Sequence, residues 1–296
     1  MADVRCVVEA SNILGEAPVW CPIERALYWV EWGSHEIFRL DHATCQTTKW
    51  EVVEGIGCLA LRECGGAIVA SRTGFWLFDF ESGAAEPLCD PEPEQPNNFF
   101  SDGKCDRRGR FWAGSMVWSD ALPMDQAAGG GALYRLDSDR RCQRVVEGLT
   151  IFNGPAWSPD DRTMYFADSA AKTIFACDYD LDTGEIGPRR VFATSEGRPG
   201  LPDGMTIDSE GFLWSAEFQG WRVVRYAPDG RIDRVIEMPV EQPTSCMFGG
   251  EGLDILFVTS ARWRLTDKDL TRQCSAGGLF AVEVGVKGLP EPRFAG

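Results

Sequence analysis

The sequence predicts an all-β protein, a six-bladed β-propeller of four-stranded antiparallel blades. Three observations predict it. A short apolar strand recurs six times at blade-like spacing. Each copy is followed by a second apolar strand. Polar turn signals separate the pairs.

The recurring strands are Ala26–Val30, Ala67–Ala70, Arg110–Gly114, Thr163–Ala167, Phe212–Ala216 and Ile255–Thr259. With Tyr28, Ile68, Phe111, Tyr165, Leu213 and Leu256 as markers, the steps are 40, 43, 54, 48 and 43 residues. A period of about 40 to 50 is that of propeller blades. The following strands read Glu36–Asp41, Phe75–Asp79, Ala132–Asp137, Thr173–Asp178, Arg222–Tyr226 and Gly278–Val282. Turn chemistry brackets them, as in Asp106–Gly109, Asp182-Thr183-Gly184 and Pro228-Asp229-Gly230. No segment combines a strong helical period with caps. The run Arg5–Glu9 precedes the first full blade. It is expected to pair with the last blade and close the ring, because closure removes exposed sheet edges. A ring closes as one unit, so residues 1–296 are expected to form one domain.

The formal charge is −16, from 45 acidic and 29 basic residues. Such a surface repels nucleic-acid phosphates and anionic membranes, so neither is an expected partner. The eleven cysteines stand singly, without a CxxC pair, and read as free thiols of a reducing cytoplasm. The start of the chain lacks the pattern of a secretory leader, and no apolar stretch reaches 18 residues.

A propeller brings loops from every blade to one central mouth. Three segments there each carry an oxygen-bearing side chain beside Gly and Pro: Leu14–Trp20 with Glu16, Phe152–Asp160 with Asn153, and Leu201–Asp208 with Asp203. Glu16 precedes Ala-Pro-Val-Trp and Asn153 precedes Gly-Pro-Ala-Trp, so the two occupy equivalent places in different blades. Two carboxylates and an amide oxygen suit a divalent cation. The same residues are also ordinary turn formers, and spacing alone leaves both readings open.

These motifs resemble the regucalcin/gluconolactonase family (the senescence marker protein-like lactonases). The resemblance is carried by Gly15-Glu16-x-Pro18-Val19-Trp20, by Asn153-Gly154-x-x-Trp157-Ser158-x-Asp160, and by Pro202-Asp203-Gly204-Met205 with Asp208, Gly211 and Leu213-Trp214. Thr244–Gly250, Val258–Arg262 and Ala276–Phe280 extend it through essentially the whole chain. It implies a six-bladed propeller that opens a lactone ring, of a sugar or deoxysugar lactone, with one divalent cation. It also implies that Glu16, Asn153 and Asp203 hold the cation and that Asp203 is the catalytic base. Oxygen ligands accept Ca, Mg, Mn, Zn or Fe(II) alike. His35 and His42 are the only histidines, which makes a Ser-His-Asp triad a poor competitor.

One motif departs from the family. Its sugar lactonases typically show Asn-Asn-Arg-x-Asn-Asp-Gly, where this chain has Asn97-Asn98-Phe99-Phe100-Ser101-Asp102-Gly103. Phe99 replaces a charged donor by an apolar face, and Ser101 keeps one shorter hydrogen-bonding group. Trp118 adds an aromatic ring. Phe99, Ser101 and Trp118 are therefore expected to bind substrate in a less polar pocket, suited to a lactone with fewer hydroxyls or an apolar substituent, either a deoxysugar lactone or a non-sugar lactone. The competing expectation is that Phe99 only packs. Ser119–Gly131, long for a hairpin connection, is expected to be either a flap over the mouth or a loose excursion. Other functions compatible with the sequence are an ester or phosphotriester hydrolase on the same metal, a non-catalytic metal- or ligand-binding propeller, and recruitment to another biosynthetic reaction.

Overall fold

The computed structural model describes residues 3–52, 54–118 and 128–296. Six antiparallel sheets follow one another around a central axis, as the repeat predicts. Their innermost strands are Gly15–Cys21, Ile56–Leu61, Asn98–Cys105, Phe152–Trp157, Leu201–Ile207 and Pro243–Gly249. These pack against one another around the axis, and nearly every residue in them is buried. The recurring strands of the sequence are the second strands of the blades, and their apolar followers are the third. Outer strands such as Thr47–Glu51 are mostly exposed and polar.

The ring closes through the first strand, as expected. Val4–Val8 runs antiparallel to Leu279–Glu283 and becomes the outermost strand of the sixth blade. The fourth blade carries one addition, since Thr173–Asp180 pairs with both Arg190–Thr194 and the two-residue strand Glu185–Ile186. One helix, Asp267–Arg272, was not anticipated. Its signal is a capping box in which Thr266 and Asp269 exchange side-chain and backbone bonds. Among the described residues, no helix is long and apolar enough to cross a membrane.

The segments read as Gly/Pro turns are corrected by the structure, for they lie inside the innermost strands. Their Gly and Pro residues serve β-bulges instead. Glu16 and Val19 pair with Val30 and Tyr28, so one strand takes three steps where its partner takes two. Asn153 and Ala156 against Ala167 and Tyr165 repeat this, as do Pro202 and Met205 against Glu217 and Ser215. The other three innermost strands also carry one extra residue, between Ile56 and Cys58, Phe100 and Asp102, and Pro243 and Cys246.

Carboxylates fix the ends of these strands. At one end, Glu31 accepts the N–H groups of Ile13 and Leu14, and Asp168 those of Thr150 and Ile151. The chain just before Glu16 and just before Asn153 is thereby held by a buried acid on the neighbouring strand. At the other end, Asp106 and Asp208 accept the indole N–H groups of Trp112 and Trp214. The C-terminal segment crosses that far end, bridging Asp208 at Gly288, Arg62 at Phe294 and Gly109 at Ala295.

Asp208 is fully buried and also pairs with the buried Arg225 at 2.7 Å, while its other oxygen takes the N–H groups of Glu210 and Phe212. Removing one partner of such a pair strands a buried charge. Asp208→Ala is expected to lower the unfolding free energy by about 3–5 kcal/mol, read by urea denaturation. A loss below about 1 kcal/mol, the level of a surface pair, would contradict this reading.

Candidate active site

In blades one, four and five the bulge lies beside a polar side chain that enters the channel. Glu16, Asn153 and Asp203, from blades one, four and five, line one cavity of about 280 Å³. All three are buried, at 5%, 7% and 7% exposure. The three residues assembled from the sequence do meet.

The amide of Asn153 is oriented by a relay. Its Nδ2 donates to Ser169 Oγ at 2.8 Å, and Ser169 Oγ donates to the Pro202 carbonyl at 2.6 Å. The nitrogen is thus engaged on the blade-five side, which leaves Oδ1 for the cavity. Ser169 also ties Asn153 to the strand that carries Asp203.

The carboxylates lack comparable support. Glu16 Oε2 accepts only the N–H of Ala17, and Asp203 is supported by the N–H of Gly204. Burial pushes Glu16 well above the ordinary carboxylate range, and the charges of Asp203 and Asp102 push it further. Burial also raises Asp203, with Asp102 adding to it. Neither is relieved by a Lys, Arg or His among the described residues. A buried anion pair without a cation is costly, and here the space beside it is open to a small hard ion. The donor set therefore fits a divalent cation. Among the described residues, no three His, Cys, Asp or Glu side chains form a metal-holding group by themselves, so the Asn153 amide is needed as the third donor beside the two carboxylates.

Asp102 was present in the sequence motif but not assigned a role. It closes the blade-three bulge and is 1% exposed. Its oxygens accept the N–H groups of Gly103 at 2.7 Å and Gly154 at 3.0 Å. The second bond grips the residue next to Asn153. Burial pushes Asp102 up to about 7, against the pull of Lys104 and of these two bonds. Lys104 is itself buried and donates to the Met205 carbonyl at 2.6 Å.

The wall of the cavity is aromatic. Trp32, Trp118 and Trp263 line it, with ring centroids 5.0 Å apart for the first two and 5.9 Å for the last two. Leu14, Met116, Ile151, Leu201 and Phe218 complete the apolar part. Trp118 is where the sequence reading expected it. Ser101 lines the cavity too, with its hydroxyl directed at the Phe152 carbonyl at 2.6 Å. Phe99 does not line it. It is 2% exposed and packs behind Trp32, at 4.6 Å between centroids, with the Arg72 guanidinium 5.1 Å from its ring. Its substrate contact is thus corrected to support of Trp32. Trp32 stands in a turn after the second strand of blade one, and the Phe99 ring backs it there.

Trp32 and Trp263 escaped the sequence reading because they sit outside the repeated strands, where aromatic residues have no period. Both histidines lie elsewhere: His35 meets the Val52 carbonyl, and His42 packs on Trp20 and Phe257. Of the expected flap Ser119–Gly131, residues 119–127 lie outside the described residues. Its end is tied down, since Gly129 donates to Thr150 Oγ1 and the Gly130 carbonyl accepts from Asn98.

Comparison with known proteins agrees with this architecture. The chain is 37% identical over 294 residues to the 6-deoxy-6-sulfogluconolactonase of Pseudomonas putida, covering 99% of both chains. It is 36% identical over 295 residues to regucalcin of Bos taurus, covering 99% of this chain and 98% of that one. The crystal structure of a calcium-binding protein, regucalcin, from Agrobacterium tumefaciens superposes with a TM-score of 0.93 at 29% identity, over 99% and 97% of the two chains. Residues 14–262 match the SMP-30/Gluconolactonase/LRE-like region, and the chain belongs to that family.

Proposed function

We propose that this protein is a divalent-cation-dependent lactonase that opens the ring of a small sugar or deoxysugar lactone. The observation that carries the reading is the pair of buried carboxylates, Glu16 and Asp203, facing an open cavity beside an oriented amide, with no Lys, Arg or His among the described residues bonded to either of them. Membership of a family that includes gluconolactonases supports the reaction class. Glu16 Oε, Asn153 Oδ1 and Asp203 Oδ would hold the cation, which when bound supplies Lewis-acid polarisation of the ring carbonyl.

The chain's own residues do the rest. A carboxylate oxygen of Asp203 takes a proton from the attacking water. It returns that proton to the ring oxygen as the C–O bond breaks. Ser169 fixes the Asn153 amide, and Asp102 fixes the backbone beside it, so the donors need little rearrangement on binding. Trp32, Trp118 and Trp263 exclude water along one side and offer flat apolar faces to the substrate. This wall favours a lactone with few hydroxyls on that side. The cavity, at about 280 Å³, suits a ligand of monosaccharide size. All eleven cysteines are free, which agrees with residence in a reducing cytoplasm.

Three measurements test the reading. Asp203→Asn keeps an oxygen ligand and removes the base, so kcat is expected to fall by about 10²-fold or more with an unchanged circular dichroism spectrum. Unchanged turnover would remove Asp203 from that role. Ser169→Ala frees the Asn153 amide, and calorimetric titration with Ca²⁺ or Mn²⁺ is expected to show affinity lowered about 10–100-fold. Equal affinity would mean the relay does not position the amide. On a panel of lactones, deoxysugar lactones are expected to equal or exceed gluconolactone in kcat/KM, whereas a clear preference for gluconolactone would contradict the apolar wall.

A further inference from the structure

Phe99 is packed behind Trp32 and is absent from the cavity wall. Arg72, the nearest guanidinium on that side, lies over the Phe99 ring and is absent from the cavity wall. The wall nonetheless contains one guanidinium. Arg264 is the only Lys or Arg among the described residues that line the cavity, and it comes from the opposite loop, after the second strand of blade six.

That loop is built to hold the side chain in place. Leu14 forms a bridge with Ala261, and the N–H of Arg262 donates to the Ile13 carbonyl. Buried Gln242 donates through Nε2 to the Trp263 carbonyl at 3.1 Å. Leu265 closes a turn onto Arg262, and the capped helix begins at once after Thr266. Arg264 adopts the left-handed conformation with φ 56°, uncommon for a residue other than glycine and maintained by these ties. Its guanidinium lies 4.1 Å from the Trp263 ring centroid. It makes no ion pair with a described residue, whereas most arginines of this acidic chain do. Gln219, also in the left-handed region at φ 60°, lines the same cavity and offers an amide donor.

We infer that Arg264 receives an acidic substituent of the substrate, so that the lactone taken by this cavity carries a carboxylate, phosphate or sulfonate remote from its ring carbonyl. The inference rests on the lactonase reading above and specifies its substrate class. The catalytic set is buried, and Arg264 is exposed at the mouth, so a ligand spanning the cavity presents opposite ends to the two. At −16 formal charge the surface repels anions, and a planar guanidinium stacked on Trp263 supplies the local exception. The apolar tryptophan faces between the two ends match a carbon chain whose terminal hydroxyl has been replaced.

The test compares neutral D-glucono-1,5-lactone with D-glucaro-1,4-lactone, 6-phosphogluconolactone and 6-deoxy-6-sulfogluconolactone, on wild type, Arg264→Gln and Arg264→Lys. Wild type is expected to favour at least one anionic lactone, and which one identifies the acidic group. In Arg264→Gln the ratio of kcat/KM, anionic over neutral, is expected to fall about tenfold or more, the worth of one charge-assisted hydrogen bond. The loss should lie in KM, Arg264→Lys should recover part of it, and added salt should raise KM for the anionic lactone alone. Preference for the neutral lactone, or a ratio unchanged in Arg264→Gln, overturns the inference while leaving the lactonase reading standing. Turnover of none of the four lactones overturns both.

Discussion

The extra residue in each innermost strand is the constraint on which the rest of the structure depends. A regular strand alternates its side chains between two faces, and both faces of these strands are packed against neighbouring blades. One inserted residue breaks that alternation and re-aims a side chain into the channel. At Glu16, Asn153 and Asp203 the re-aimed groups are oxygen donors. In the second and sixth blades the same bulge carries no acid, and those strands pack instead. The propeller thus supplies six equivalent openings, and the sequence decides which of them bear chemistry.

What the fold stabilises elsewhere explains why the site can remain costly. Asp106 and Asp208 are buried too, yet each is met by an arginine, an indole N–H and backbone donors. Glu31 and Asp168 are met by backbone N–H groups. Glu16 and Asp203 have one N–H apiece, with the charges of Asp203 and Asp102 against Glu16 and that of Asp102 against Asp203. Acids that hold blades together are satisfied, and acids that face the cavity are not. Lys104 lies one step deeper, where it steadies Asp102 rather than the cavity pair.

Much of this was legible in the sequence because blades repeat. The six marker strands, the closing role of Arg5–Glu9 and the equivalence of Glu16 with Asn153 follow from periodic patterns of apolar and turn residues. Bulges were not legible, since Gly-Pro pairs within a strand look like turns when read in one dimension. The cavity wall was legible only in part. Trp118 continues a strand and could be placed, whereas Trp32 and Trp263 stand in single-copy loops whose direction depends on tertiary contacts. Phe99 was read as a pocket residue because it occupies a motif position, but its ring serves Trp32. Ser169 and Asp102 act through hydrogen bonds across blades, for which sequence spacing holds no signal.

The central claim is that Glu16, Asn153 and Asp203 hold one cation between three bulged strands. A crystal soaked in Mn²⁺, with data collected at the manganese absorption edge, tests it most directly. The account predicts a single strong anomalous peak within about 2.0–2.6 Å of an oxygen from each of the three side chains, the range for hard cations on oxygen ligands. A channel without a peak, or a peak held by other residues, would contradict it.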